Sequence, residues 1–378
     1  TYTSVEIDNT GNIWSGNGLN GAYRFNGTSW TEFSTFNSNI LHDFTNDIVV
    51  DNSNNVWVSN YKGISVYNGT NFTNYDTANA DFLGMTVGSM KKDASGKIYL
   101  CSRNGSFGYE GVTTYSVGTW TNLTGYPAQL VGEEFADFAF APNADVWMAT
   151  GNGFTKYVPS TTTFTFYPYA STGIWSTESV VMDGTTVYAG GFDGIVRNNG
   201  SWTMYSTTTN FGLTSNTFFY DLLIDGNILW AATSRGLLKI DKSTMTILVN
   251  YNSTNSPLDD NCVSDIERAA NGDLWLATTI GVVKMVPSQV GISEIEPFRF
   301  SVYPNPANET LYVNFSEQFD GTIDVLDLTG KLLQSNTVIA QPNFTSLDIS
   351  SLNEGVYIIR LTNQNTGNIS TSKFVVTG

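Results

Sequence analysis

The sequence predicts an all-β protein in two parts: a seven-bladed β-propeller over residues 1–290 and a small immunoglobulin-like β-sandwich over 300–378, joined by a linker at 291–299. Three observations predict this. An aromatic residue recurs inside a short apolar strand at Trp14, Trp57, Tyr99, Trp147, Tyr188, Trp230 and Trp275, at spacings of 41 to 48 residues, too long for the common helical repeats and right for a propeller blade. Six of the seven are followed six positions later by a glycine, at Gly63, Gly105, Gly153, Gly194, Gly236 and Gly281, with Gly21 one place late in the first repeat. After Pro297 the tryptophan pattern stops, and seven short segments of alternating apolar and polar residues follow, such as Thr310 to Phe315, as in sandwich strands.

The second repeat shows how each unit becomes a blade. Ile48-Val49-Val50 is an apolar run suited to an inner strand near the propeller axis. Asp51 to Asn55 reads as a turn, Val56-Trp57-Val58 as the second strand, Gly63 opens the third, and Asn68-Gly69 leads to an outer strand ending at Tyr75. An acid opens the first turn in five repeats, at Asp8, Asp51, Asp93, Asp183 and Asp225. A carboxylate there is expected to accept backbone N–H bonds and close the turn. Asp51, Ser53 and Asn55 also copy the start of a calcium loop, but the downstream acid of such loops is missing. The seventh repeat lacks an outer strand, so either that blade has three strands or Gln289 to Ile295 folds back as the fourth.

Composition narrows the function classes. Only 13% of residues are charged, and 17 basic residues face 34 acidic ones for a net charge of −17, which repels a phosphate backbone, so nucleic acid is not an expected partner. No run approaches the length of a membrane-spanning helix. Cys101 and Cys262, in the third and seventh repeats, read as buried free thiols. No cofactor or metal is implied, and His42 is the single histidine.

The blades resemble two-component-regulator propeller repeats, on the strength of Asp8-Asn9-Thr10-Gly11-Asn12-Ile13-Trp14 and its counterparts. Residues 300 to 378 resemble the type A C-terminal sorting domain of the type IX secretion system of Bacteroidota. Four blocks carry that likeness: Tyr303-Pro304-Asn305-Pro306, Asp327-Leu328-Thr329-Gly330-Lys331, Leu352-Asn353-Glu354-Gly355-Val356-Tyr357 and Lys373-Phe374-Val375-Val376. The resemblance implies an exported cargo: a leader carries it across the inner membrane, and it then passes an outer-membrane translocon that reads residues 300–378 together with a shuttle barrel. A sortase-like peptidase is expected to cut within Gly291 to Phe298, leaving the protein on the cell surface or outside the cell.

Candidate binding residues sit where interblade loops and second-to-third-strand turns crowd the channel mouth. Trp175, Phe192 and Tyr61, with Phe82 and Phe211, supply aromatic surface there, Glu133, Glu134 and Glu178 supply acids, and Arg103 and Arg235 fall in equivalent loops. An exposed ring beside polar groups suits stacking on a sugar. The expected role is non-catalytic binding of a glycan or surface protein. The competing readings are a polysaccharide-active enzyme using the mouth carboxylates and an accessory of gliding or adhesion.

Overall fold

The structure, a computed structural model, describes residues 1–104, 108–127, 130, 135–287, 300–315, 319–341, 344–364 and 369–377. The chain divides into two compact units, Thr1–Val290 and Gly291–Gly378. The first is a seven-bladed propeller. Six blades are four-stranded antiparallel sheets ordered from inner to outer strand, and the seventh, Val263–Arg268, Leu274–Thr278 and Val282–Met285, has three strands among the described residues. Each inner strand packs beside the next, and the seventh returns to the first, Tyr2–Ile7.

The repeated aromatics are the wedges between blades. Trp14 packs against Ile48, Val56 and Tyr67 of the second blade, Trp57 against Val87 and Ile98 of the third, Trp147 against Val180 and Val187 of the fifth, and Trp230 against Val263 and Ile266 of the seventh. Trp275 closes the ring on Val5, Ile13 and Phe25. Burying such rings is the main favourable term holding the blades together.

The repeated glycines have a steric cause. At Gly63 and Gly236 the backbone has φ of 132° and 121°, and a Cβ would collide with the carbonyl oxygens of Tyr75 and Tyr251 on their outer strands, so only glycine lets the outer strand lie this close.

The opening acids behave in two ways. Asp8, Asp51 and Asp93 each accept N–H bonds from residues two and four ahead, and Asp8 and Asp51 also take the indole N–H of Trp14 and Trp57 at 3.0 Å. The Asp51 carboxylate is thus occupied by its own turn and second strand. Asp183 and Asp225 depart from the expectation. Their hairpins turn over two residues, pairing Asp183 with Thr186 and Asp225 with Ile228, too tight for that cradle, and they form ion pairs with Lys242 and Arg268 instead.

Neither cysteine is in a disulfide, and Cys101 is buried as expected, whereas Cys262 is half-exposed, because it lies in the mouth loop just ahead of the last inner strand. The expected fourth strand of the last blade, Gln289 to Ile295, and the linker at 291–299 lie outside the described residues.

The second unit is a sandwich of seven strands among the described residues. Phe300–Tyr303, Thr310–Phe315 and Phe344–Asp348 form one sheet, and Leu332–Gln341, Phe319–Leu326, Gly355–Asn363 and Ile369–Val376 form the other. Alternation places Leu311, Val313, Ile323, Ile359, Leu361 and Phe374 in its core.

Candidate functional site

Each of six inner strands carries a register shift just ahead of one residue position, and such bulges re-aim a side chain. Ser4, Asp137, Ser179, Asp221 and Asp265 directly follow these shifts, and Asp47 lies within the one between Thr45 and Ile48. The carboxylates reach across to the neighbouring blade. Asp47 accepts the N–H of Met90 at 2.7 Å, Asp137 that of Val180 at 2.9 Å, Asp221 that of Ile266 at 3.2 Å, and Asp265 closes the circle on Val5 at 2.6 Å. At the fifth junction the Ser179 hydroxyl oxygen accepts Leu222 N–H at 3.1 Å. An inner strand is the edge of its sheet, and an edge N–H left unpaired is costly.

Ser4 and the four aspartates line a central channel of about 760 Å³. Its wall carries Glu6, Asp47, Asp137, Asp221, Asp265 and Glu267 against the ammonium of Lys91, which lies 3.6 Å from Asp137. Burial pushes Asp47 and Asp265 up to about 6 and Glu267 to about 7. Burial and neighbouring acids raise Glu6 and Asp221 as well. The same carboxylates, Asp137 foremost, raise Lys91 and hold it charged.

At the mouth, a one-turn helix, Tyr169–Thr172, ends on Gly173 and delivers Trp175 to the surface, 52% exposed. From Trp175 a row of rings descends: Phe192 at 5.2 Å and 60°, Phe218 at 4.9 Å and 67°, then Tyr220 at 5.8 Å and 7°. Backbone bonds fix the row, since Phe192 N–H donates to Trp175 and Phe192 bridges Phe218. Tyr220 and Glu178 line the channel, and Glu178 accepts from the Ser176 hydroxyl at 3.1 Å. Arg235 is exposed in the turn beside Phe218, whose N–H and carbonyl bond Ser234.

Tyr61 belongs to a second group. It stacks on Phe44 at 4.0 Å and 14°, with His42 at 5.8 Å and the Arg103 guanidinium at 5.8 Å. Phe82 and Phe211 are buried between blades, against Trp120 and Phe219. Glu133 and Glu134 lie outside the described residues. Thus Trp175, Phe192 and Glu178 come together with Arg235 nearby, and Tyr61 stands apart. Sequence reasoning passed over Phe44, Phe218, Tyr220 and the axial ring of acids with Lys91. The signal was present: Asp47, Asp137, Ser179, Asp221 and Asp265 follow the blade period on the inner strands, as the tryptophans do on the second.

In the sandwich the four motif blocks serve its closure. Asn305 accepts Val375 N–H at 2.9 Å and donates to the Lys373 carbonyl at 3.4 Å, which stitches Tyr303-Pro304-Asn305-Pro306 to the last strand, and Ala307 pairs with Val376 just beyond. Asp327 accepts from the N–H groups of Thr329 and Lys331, and Gly330 has φ of 84°. Tyr357, two residues after Gly355, packs on Phe374 and donates its hydroxyl to Asn353.

Residues 301–377 match the family of secretion system C-terminal sorting domains. No curated protein sequence matches the chain. Among solved structures, the extracellular domain of the putative hybrid two-component system BT3049 of B. thetaiotaomicron is similar at a TM-score of 0.64 and 15% identity, over 99% of this chain and 55% of that one. That of the putative one-component system BT4673 of the same organism gives 0.59 at 16% identity, over 99% and 56%. Virginiamycin B lyase of Staphylococcus aureus gives 0.59 at 13% identity, over 75% and 93%. The chain spans little more than half the length of the two extracellular domains, and at these identities all three show the fold alone. Residues 301–377 are a type IX secretion C-terminal sorting domain, and the protein that carries them with its seven-bladed propeller is cargo for the cell surface or the extracellular space.

Proposed function

We propose that the propeller is a non-catalytic module that binds a glycan at the channel mouth, delivered outside the cell by its sorting domain. The observation that carries this reading is the ring row from half-exposed Trp175 to Tyr220 in the channel wall, flanked by Glu178 and Arg235. Such a row offers an open indole at the rim for a sugar face, and polar groups beside it for hydroxyls. In this reading the translocon and shuttle barrel take hold of residues 300–378, and a sortase-like peptidase cuts within 291–299.

The test is a glycan array probed with the full-length protein, followed by titration of the best ligand. Trp175→Ala is expected to weaken binding about tenfold, as the loss of one stacking platform would, with no product formed by either protein. An array blank for glycans, with capture of a defined surface protein instead, would move the mouth to protein recognition. Turnover abolished by Glu178→Gln with binding retained would make the protein an enzyme.

A further inference from the structure

The sandwich has two outer faces of different chemistry. On the four-stranded sheet the outward side chains mix apolar Leu332, Val356 and Ile358 with Thr322, Ser335, Thr371, Lys373 and the Asp324–Arg360 ion pair, to which Ser335 also donates, so charge and hydroxyls are spread through that face. On the three-stranded sheet, Tyr303 and Tyr312 are register partners with stacked rings at 5.4 Å and 19°, and Phe344 stands opposite Asn314 on the same face. These three rings are 49%, 37% and 56% exposed. Asp348, the acid on that face, accepts from the N–H and hydroxyl of Ser350 at its own turn. Clustered exposed rings mark an interaction surface.

We infer that this face, Tyr303, Tyr312 and Phe344, is the surface by which the secretion machinery holds the folded sorting domain, through an envelope component presenting an uncharged, apolar groove with acceptors for the two phenols. The occupant follows from the matched family, since a sorting domain must be read by the secretion apparatus, and from how the motif blocks are used. Asn305, Asp327 and Tyr357 spend their polar atoms inside the domain, so the fold consumes them, while no described residue of the unit covers the ring face. The inference rests on the sorting role and is independent of the propeller's ligand.

The experiment follows the full-length chain in a bacterium that has this secretion route, comparing secreted with periplasmic protein by immunoblot and the melting of each purified variant. Tyr312→Thr keeps strand propensity in the central strand, and Phe344→Lys alters an edge strand, where lysine is tolerated. Each is expected to melt like the parent and to lower the secreted fraction about fivefold or more, with Thr371→Ala on the opposite face secreted normally. Parental secretion from whichever of the two melts like the parent would overturn the inference. Removal of residues 300–378 separates the failures: if that truncated chain still reaches the medium, the sorting role itself falls, and if it is retained while the folded ring variants are secreted, only the ring face does.

Discussion

In the propeller the inner strands turn a free edge toward the channel, and side chains from the neighbouring blade cover it. In the sandwich the core is built from side chains such as Leu311, Ile323, Leu361 and Phe374, and the motif acids and amides work at turns and strand ends. Closing a ring turns one sheet edge per blade inward, where its N–H groups take partners from the neighbouring blade, whereas the edges of a two-layer sandwich lie at its sides. The difference teaches where to look for function. What repeats in the propeller, the tryptophans, glycines and most axial acids, holds it together, and what breaks the repeat is Lys91 on the axis and Trp175 at the rim of the proposed binding site.

The largest expected effect separates the two units by packing. Phe374→Ala removes a fully buried ring beside Tyr357, which costs about 3–5 kcal/mol. In calorimetry the sandwich transition should fall and the propeller transition stay in place. A shift of both would break the comparison, because the units would then unfold as one.

A smaller loss probes the ring. Asp265→Ala leaves Val5 N–H without its acceptor at the point of closure, at a cost of about 1–3 kcal/mol. At pH 5 the carboxyl is largely neutral and the lost hydrogen bonds dominate. The propeller transition alone should move, with faster hydrogen exchange at the Val5 amide, and unchanged exchange would mean that the tryptophan wedges close the ring unaided.

The smallest effect is the sign of the pH response. Asp47 and Asp265 at about 6 and Glu267 at about 7 sit above their ordinary values. Each therefore contributes stability that is complete below about pH 4 and is lost as the pH rises through 6 to 7. In the sandwich, Asp327 and Asp348 are held below their ordinary values by hydrogen bonds from Thr329 and Ser350, and their contribution is present at neutral pH and lost in acid. Going from pH 8 to pH 5 should raise the propeller melting temperature by about 2–4 °C and leave the sandwich without a gain. A propeller that melts higher at pH 8 would show that Lys91 holds the ring carboxylates ionised.

Much of this was determined along the chain. Blade number followed from Trp14 to Trp275 at a regular period, the sandwich from alternation, and the sorting domain from four short blocks, because strand periodicity, turn chemistry and repeat spacing are local properties. Even so, Asp183 and Asp225 looked like Asp8 and Asp51 yet serve as ion-pair partners, since two-residue hairpins place their carboxylates differently. Only the tertiary structure decided which distant residues meet: that Trp175, Phe192, Phe218 and Tyr220 form one row while Tyr61 stacks elsewhere on Phe44, and that Lys91 faces acids from several other blades. Those contacts depend on how seven sheets rotate about a common axis, a condition that no single repeat of the sequence contains.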